Sequence, residues 1–89
     1  MPNIQSAAKR ARQNFKREQR NKRVKSLLKT SIRRFEEALQ TGDQEEARQK
    51  LDAAVRRIDK TAAKGIIHKN NAARKKSSLS RRYNKAMTG

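Results

Sequence analysis

The chain lacks several residue types on which common protein classes depend. It has no cysteine and no tryptophan, and only one proline and three glycines in 89 residues. The absence of cysteine excludes a disulfide framework, a thiolate nucleophile and a cysteine-ligated metal. No apolar run approaches the ~20 residues of a membrane-spanning helix, and the N-terminus has no hydrophobic signal core. We therefore expect a cytoplasmic protein without a membrane span.

Acidic residues are also scarce. There are 25 Lys and Arg but only 8 Asp and Glu, which gives a net charge of +17. So much charge of one sign weakens the compact state by self-repulsion, and a bound polyanion relieves that repulsion. The length suits one small domain, and a hydrophobic fraction of 33% allows only a thin core. The composition therefore favours a single small domain whose partner is a polyanion.

The rarity of glycine and proline leaves long segments with helical periodicity. Residues 1–41 contain no glycine, and their apolar residues recur every three or four positions, which predicts an amphipathic helix. These apolar positions are Val24, Leu28, Ile32, Phe35 and Leu39. Gly42 is predicted to end the first helix, and Gly65 the second, in the left-handed conformation that glycine adopts without strain.

A second helix is expected at 43–64, where Asp43 and Glu46 fit a capping box. Its apolar positions are Ala47, Leu51, Ala54, Val55, Ile58 and Ala62. Its outer face is expected to carry ion pairs one turn apart. These pairs are Glu46 with Lys50 and Asp52 with Arg56.

The third helix, expected at 68–87, has the thinnest apolar face, because Lys76 stands where another apolar residue would fit. Its apolar positions are Ala72, Leu79, Tyr83 and Ala86 or Met87. Short glycine corners favour antiparallel neighbours. The predicted fold is therefore all-α: an up-down-up three-helix bundle with a long, basic N-terminal helix that projects beyond the bundle.

The chain is expected to form a single domain over 1–89, in which residues 1–23 form a basic arm and residues 24–41 complete the first helix. The arm has an apolar stripe of its own. The stripe consists of Ile4, Ala8, Ala11 and Phe15. At about 100° per residue it points about 130° away from the core face, so it is expected to face something other than the bundle. Alone, the arm is expected to be frayed and to fold on binding.

The excess charge lies in the first and third helices. Residues 1–41 carry twelve Lys or Arg and three acids, residues 42–64 carry six and five, and residues 65–89 carry seven and none. The first and third helices are therefore expected to face a polyanion, and the second to face water. The sequence has no glycine-rich phosphate loop and no nucleophile–base pair. A lone His68 does not make a metal site, so we expect no enzyme, no metal and no cofactor.

Three segments resemble one known family. They are NIQSAAKR at 3–10, RNKRVKS at 20–26 and KGIIHKNNAARKKS at 64–77. They resemble the bacterial small-subunit ribosomal protein numbered twenty, and the resemblance covers essentially the whole chain. It implies a structural constituent of the small ribosomal subunit that forms a three-helix bundle, binds small-subunit (16S) ribosomal RNA directly and helps early assembly. It also implies a place in the lower body of the subunit.

With this resemblance, we expect a monomer within the ribosome that has few or no protein neighbours, no membrane and no small-molecule substrate. Most candidate RNA contacts are cations that would bind phosphates, joined by asparagines that can reach 2′-hydroxyls or base edges. His68 and Asn70 could instead cap the third helix. The candidates are Asn3, Lys9, Arg10, Arg17, Arg20, Asn21, Lys22, Arg23, Lys25, His68, Lys69, Asn70, Arg74, Lys75, Lys76, Arg81 and Arg82.

Two other functions are compatible with a strongly basic helical chain. Phosphate neutralisation does not by itself select RNA, so a histone-like DNA-compacting protein is the main alternative. A protein that binds anionic membranes is the third. It fits less well, because the apolar stripes are used in the bundle and interfacial aromatic residues are nearly absent.

Overall fold

Three helices make up most of the chain in a computed structural model, which describes residues 4–88. Helix α1 spans Ile4–Thr41, α2 spans Gln44–Ala63 and α3 spans Lys69–Thr88. The connections are short, so consecutive helices are antiparallel. The predicted all-α, up-down-up three-helix bundle is therefore confirmed.

One apolar stripe from each helix forms the core. Its buried members are Val24, Leu28, Phe35, Ala38, Ala47, Ala54, Ile58, Ala72 and Leu79. α2 packs closely along both other helices, whereas long side chains span the groove between α1 and α3. Thr61 is fully buried, although its polar side chain kept it out of the predicted core. Its hydroxyl donates to the carbonyl of Arg57 at 2.6 Å, which satisfies the group within its own helix.

Both helix ends at glycine have the predicted backbone. Gly42 has φ 78° and Gly65 has φ 75°, in the region that side chains other than glycine rarely adopt. Asp43 caps α2 by accepting from the N–H groups of Glu45 and Glu46 at 3.1 and 3.2 Å. The return hydrogen bond of a full capping box is not formed among the described residues. The N–H of Asp43 instead donates to Thr41 Oγ1 at 3.5 Å.

The corner between α2 and α3 is a Schellman motif. The N–H of Gly65 donates to the carbonyl of Ala62 at 2.9 Å, and the N–H of Ile66 donates to the backbone carbonyl of Thr61 at 3.2 Å. Ile67 then packs against the core. This hydrogen-bonded corner fixes where α3 begins and therefore which way its cations point.

The first half of α1 extends away from the bundle. All side chains from 6 to 20 are exposed, and the first buried residue after them is Val24. The chain consequently measures 66 × 22 × 13 Å. The arm continues α1 as a helix from Ile4, which is consistent with the propagation of a helix that is already nucleated, since each further residue adds one hydrogen bond.

Candidate nucleic-acid interface

The arm presents cations on all sides. Among the described residues none of these cations forms an ion pair with an acid, because the arm has one acid, Glu18, which also makes none. The exposed cations are Lys9, Arg10, Arg12, Lys16, Arg17, Arg20, Lys22 and Arg23. Arg12 and Lys16 were absent from the candidates chosen from sequence. No residue between 6 and 20 belongs to the core, so every cation in this range is exposed. On that ground Arg12 and Lys16 could have been included among the candidates.

A cleft lies where the arm meets the corner between α2 and α3. Its volume is ≈480 Å³, and Arg17, Arg20 and Asn21 line it from α1. Lys64 and the backbone of Gly65 line it from the corner, together with Ile66. Three candidates are thus brought together with a cation that sequence reasoning did not select. A concave surface with three cations and a glycine that leaves its backbone open suits a phosphate chain.

His68 lies beside this cleft in the sequence and caps α3. Its Nδ1 accepts from the backbone N–H of Asn70 at 3.1 Å, which is the capping role considered from the sequence. In the neutral ring this leaves Nε2 as the only donor nitrogen. Lys69 and Asn70 are exposed in the first turn of α3.

The outer face of α3 carries a second basic surface. Arg74, Arg81 and Lys85 are exposed, and their separations of seven and four residues place them on one face of the helix. Arg81 Nε donates to the carbonyl of Ser77 at 3.4 Å, which leaves the rest of its guanidinium free of protein partners. Lys85 was not among the candidates, although the same spacing indicates it.

Two other candidates on α3 are bound to the protein itself. Arg82 Nη1 lies 2.7 Å from Glu36 Oε1 on α1, and Lys76 Nζ lies 2.9 Å from Asp59 Oδ1 on α2. Lys76 occupies an expected core position because its aliphatic stem can pack there while its ammonium reaches the carboxylate. These cations join α3 to its neighbours, and their charges are partly neutralised.

The predicted pairs on the outer face of α2 are wrong. Neither Glu46 with Lys50 nor Asp52 with Arg56 forms a salt bridge, and Arg33 with Glu37, at 3.9 Å, is the only intrahelical pair in the described part of the chain. Exposed pairs one turn apart are worth only about 0.3–0.5 kcal/mol. The acids that do pair between helices are Asp59 and Glu36, and the sequence could not reveal these contacts.

The remaining candidates are more scattered. Lys75 is half-buried and lines a groove of ≈190 Å³ between α1 and α3, beside Glu36 and Arg82. Lys22 and Lys25 line a shallow hollow on α1 with Glu18 and Asn21. Asn3 lies outside the described residues.

The chemistry of these surfaces is that of anion binding. Between residues 4 and 88 no group of His, Asp or Glu is placed to hold a metal ion. No helix in this range has the length and apolar character needed to cross a membrane. What the structure offers is unpaired cationic side chains on the arm, in the cleft and along α3, which together suit an extended polyanion.

Comparison with known proteins gives a consistent result. The sequence profile described as ribosomal protein S20 matches residues 2–84. The chain is similar to small ribosomal subunit protein bS20 of Pelotomaculum thermopropionicum, with 58% identity over 89 residues and full coverage of both chains. The bS20 protein of Natranaerobius thermophilus is 56% identical over 84 residues, or 94% of this chain and 96% of that one. The protein of the same name from Heliobacterium modesticaldum is 51% identical, over 98% and 99% of the two chains.

Proposed function

The chain belongs to the ribosomal protein S20 family, and on that basis we propose that it binds small-subunit ribosomal RNA directly through two separate basic surfaces. It is a structural, non-enzymatic constituent of the small subunit of the cytoplasmic ribosome and associates with ribosomal RNA. The two surfaces are the arm with its cleft and the outer face of α3. Their role is to hold RNA segments together during subunit assembly.

The observation that carries this proposal is the contrast in charge balance between the helices. Residues 42–64 carry six Lys or Arg and five acids, whereas residues 1–41 carry twelve and three, and residues 65–89 carry seven and none. The cations of the arm and of the outer face of α3 have no acidic partner in the described structure. RNA segments repel one another, and each phosphate neutralised by a cation lowers that repulsion and releases counterions. A chain with cations on two separate surfaces can therefore hold two segments close together.

The proposed contacts are the candidates chosen from sequence other than Lys76 and Arg82, with four cations added from the structure. They are Asn3, Lys9, Arg10, Arg12, Lys16, Arg17, Arg20, Asn21, Lys22, Arg23, Lys25, Lys64, His68, Lys69, Asn70, Arg74, Lys75, Arg81 and Lys85. Lys76 and Arg82 contribute mainly by holding α3 in position, because each already binds a carboxylate. Contacts of this kind fix register and carry little sequence information.

We further propose that the protein is monomeric in the ribosome and has few or no protein neighbours. Phe15 and Leu27 are the large hydrophobic residues that are exposed in the described structure. Two separated side chains do not make the apolar patch of several hundred Å² that marks a protein interface.

A competition experiment tests the function. Labelled small-subunit ribosomal RNA is bound to the protein at physiological salt, and unlabelled ribosomal RNA or random duplex DNA of equal phosphate content is added. We expect the RNA to compete at much lower concentration, because the proposed function is recognition of folded ribosomal RNA, whereas phosphate neutralisation alone would treat both competitors equally. Equal competition by duplex DNA would instead support a histone-like DNA-compacting protein, which family membership does not favour.

A further inference from the structure

Phe15 is the most exposed of the large hydrophobic side chains in the described structure. It is 61% exposed, on an arm whose other described side chains from 6 to 20 are also exposed. Leaving an aromatic ring in water forgoes the stabilisation that burial gives. No side chain of the bundle covers this one, since the residue lies on the opposite side of α1 from the core stripe.

The neighbours of Phe15 favour a nucleic acid as the partner. Residues three or four positions away on a helix flank a side chain, and here they are Ala11, Arg12, Glu18 and Gln19. Ala11 is small, so the ring is accessible from that side. The eight Lys and Arg of residues 1–23 surround the ring with positive charge, which attracts RNA. In RNA, unstacked bases are bound by stacking on aromatic rings.

Glu18 is the only acid on the arm, and it makes no hydrogen bond or ion pair in the described structure, although Lys22 follows it by one turn. A carboxylate repels phosphate but accepts hydrogen bonds from base amino and imino groups. Glu18 lies one turn from Phe15, so the carboxylate and the ring are neighbours on the surface of the arm.

We propose that Phe15 and Glu18 bind one unstacked RNA base, with the ring stacked on its face and the carboxylate accepting from its Watson–Crick edge. Guanine fits best, because its adjacent N1–H and N2–H donors match the two carboxylate oxygens. Arg12 and Lys22 would hold the flanking phosphates. This site rests on the proposed RNA-binding function and adds a base contact to surfaces that otherwise meet the backbone.

A fluorescent variant tests the stacking. The chain has no tryptophan, so in the Phe15→Trp variant all indole emission comes from position 15. Titration with in vitro transcribed small-subunit ribosomal RNA is expected to quench that emission strongly, because a stacked base quenches indole. The matched control is Leu27→Trp, at a position on α1 that is 44% exposed and outside the arm, and its emission should change little.

The outcomes distinguish failure of the base site from failure of the proposed RNA-binding function. If filter retention shows that the Phe15→Trp variant binds RNA while its emission is unchanged, the base site is overturned and the proposed function stands. If neither variant nor the unmodified protein binds the RNA, the function itself fails.

Affinity measurements distinguish stacking from general apolar contact. Phe15→Ala should weaken RNA binding by about 5- to 140-fold, and Phe15→Leu should weaken it similarly because leucine has no aromatic face. Full affinity in the Leu variant would overturn stacking. Normal RNA affinity of Phe15→Ala, with loss of incorporation into the subunit, would instead assign the ring to a protein neighbour.

A modified base tests the role of Glu18. Uridine-rich oligonucleotides with one central guanosine or one central inosine, which lacks the 2-amino group, are compared. The unmodified protein should prefer guanosine, and Glu18→Gln should abolish that preference while Phe15 still stacks. Equal affinity of the unmodified protein for both oligonucleotides would remove Glu18 from the site.

Discussion

The two halves of α1 belong to one uninterrupted helix but differ in burial and in ion pairing. In the second half Phe35 is fully buried, and both acids, Glu36 and Glu37, pair with cations. In the first half Phe15 is 61% exposed, and the cations have no acidic partners in the described structure. The same backbone and similar residue types are therefore buried in the core or left exposed according to whether α2 packs beside them.

The two phenylalanines offer the sharpest test of this contrast. Phe35→Ala should lower the free energy of unfolding by about 3–5 kcal/mol, because it leaves a cavity in the core. Phe15→Ala should change it by less than about 0.5 kcal/mol, as exposed positions usually do. Thermal and denaturant unfolding of the free protein, followed by circular dichroism, measures both. A large loss of stability in Phe15→Ala would show that the ring packs within the bundle.

Removing charge from the arm should change RNA binding without changing folding. Replacing Arg10, Arg17 and Arg20 together by Gln should reduce the slope of log affinity against log salt by about 2–3 units, because each phosphate that is no longer neutralised lowers the slope by nearly one unit. The salt dependence of binding to ribosomal RNA measures this slope.

The matched control removes the same charge from α2, where Arg48, Arg56 and Lys60 are exposed. Their joint replacement by Gln should reduce the slope by less than about one unit. If the two triple variants had equal slopes, RNA binding would depend on net charge alone, and the division between the two regions would not hold.

Local sequence patterns predicted the helices and their ends but not the contacts between helices. Gly42, Gly65 and Asp43 act through their own backbone neighbourhood, so their roles can be read from adjacent residues. The partners of Lys76 and Arg82 are distant in sequence and come together only when the helices pack. For that reason both cations looked the same as Arg81, which the structure leaves without an acidic partner.

The two glycine corners differ in what they support. Gly65→Ala and Gly42→Ala should each cost about 1–2 kcal/mol of stability, because both residues have positive φ. Only Gly65 lines the basic cleft and sets the direction of α3. At a temperature where both variants are folded, only Gly65→Ala should weaken RNA binding. Equal RNA affinities of the two variants would show that the cleft is not used.

Adjacent arginines on α3 should have opposite phenotypes. Arg82→Ala should cost about 0.2–1 kcal/mol of stability, the usual contribution of an exposed ion pair, and Glu36→Ala should match it. Arg81→Ala should leave stability unchanged and lower the salt slope of RNA binding by about one unit. Unfolding and salt titration of the three variants measure both quantities, and the reverse pattern would exchange the assigned roles.

The bare arm also bears on how long a copy of the protein survives. Helical hydrogen bonds with no packed side chains over them open at little free-energy cost, and the eight Lys and Arg of residues 1–23 are cleavage positions for trypsin-like proteases. Degradation of a free copy is therefore expected to start in the arm before the bundle opens. If RNA covers the same positions as proposed, unassembled copies would be removed while assembled ones persist. The cellular amount of the protein would then follow the amount of RNA able to receive it.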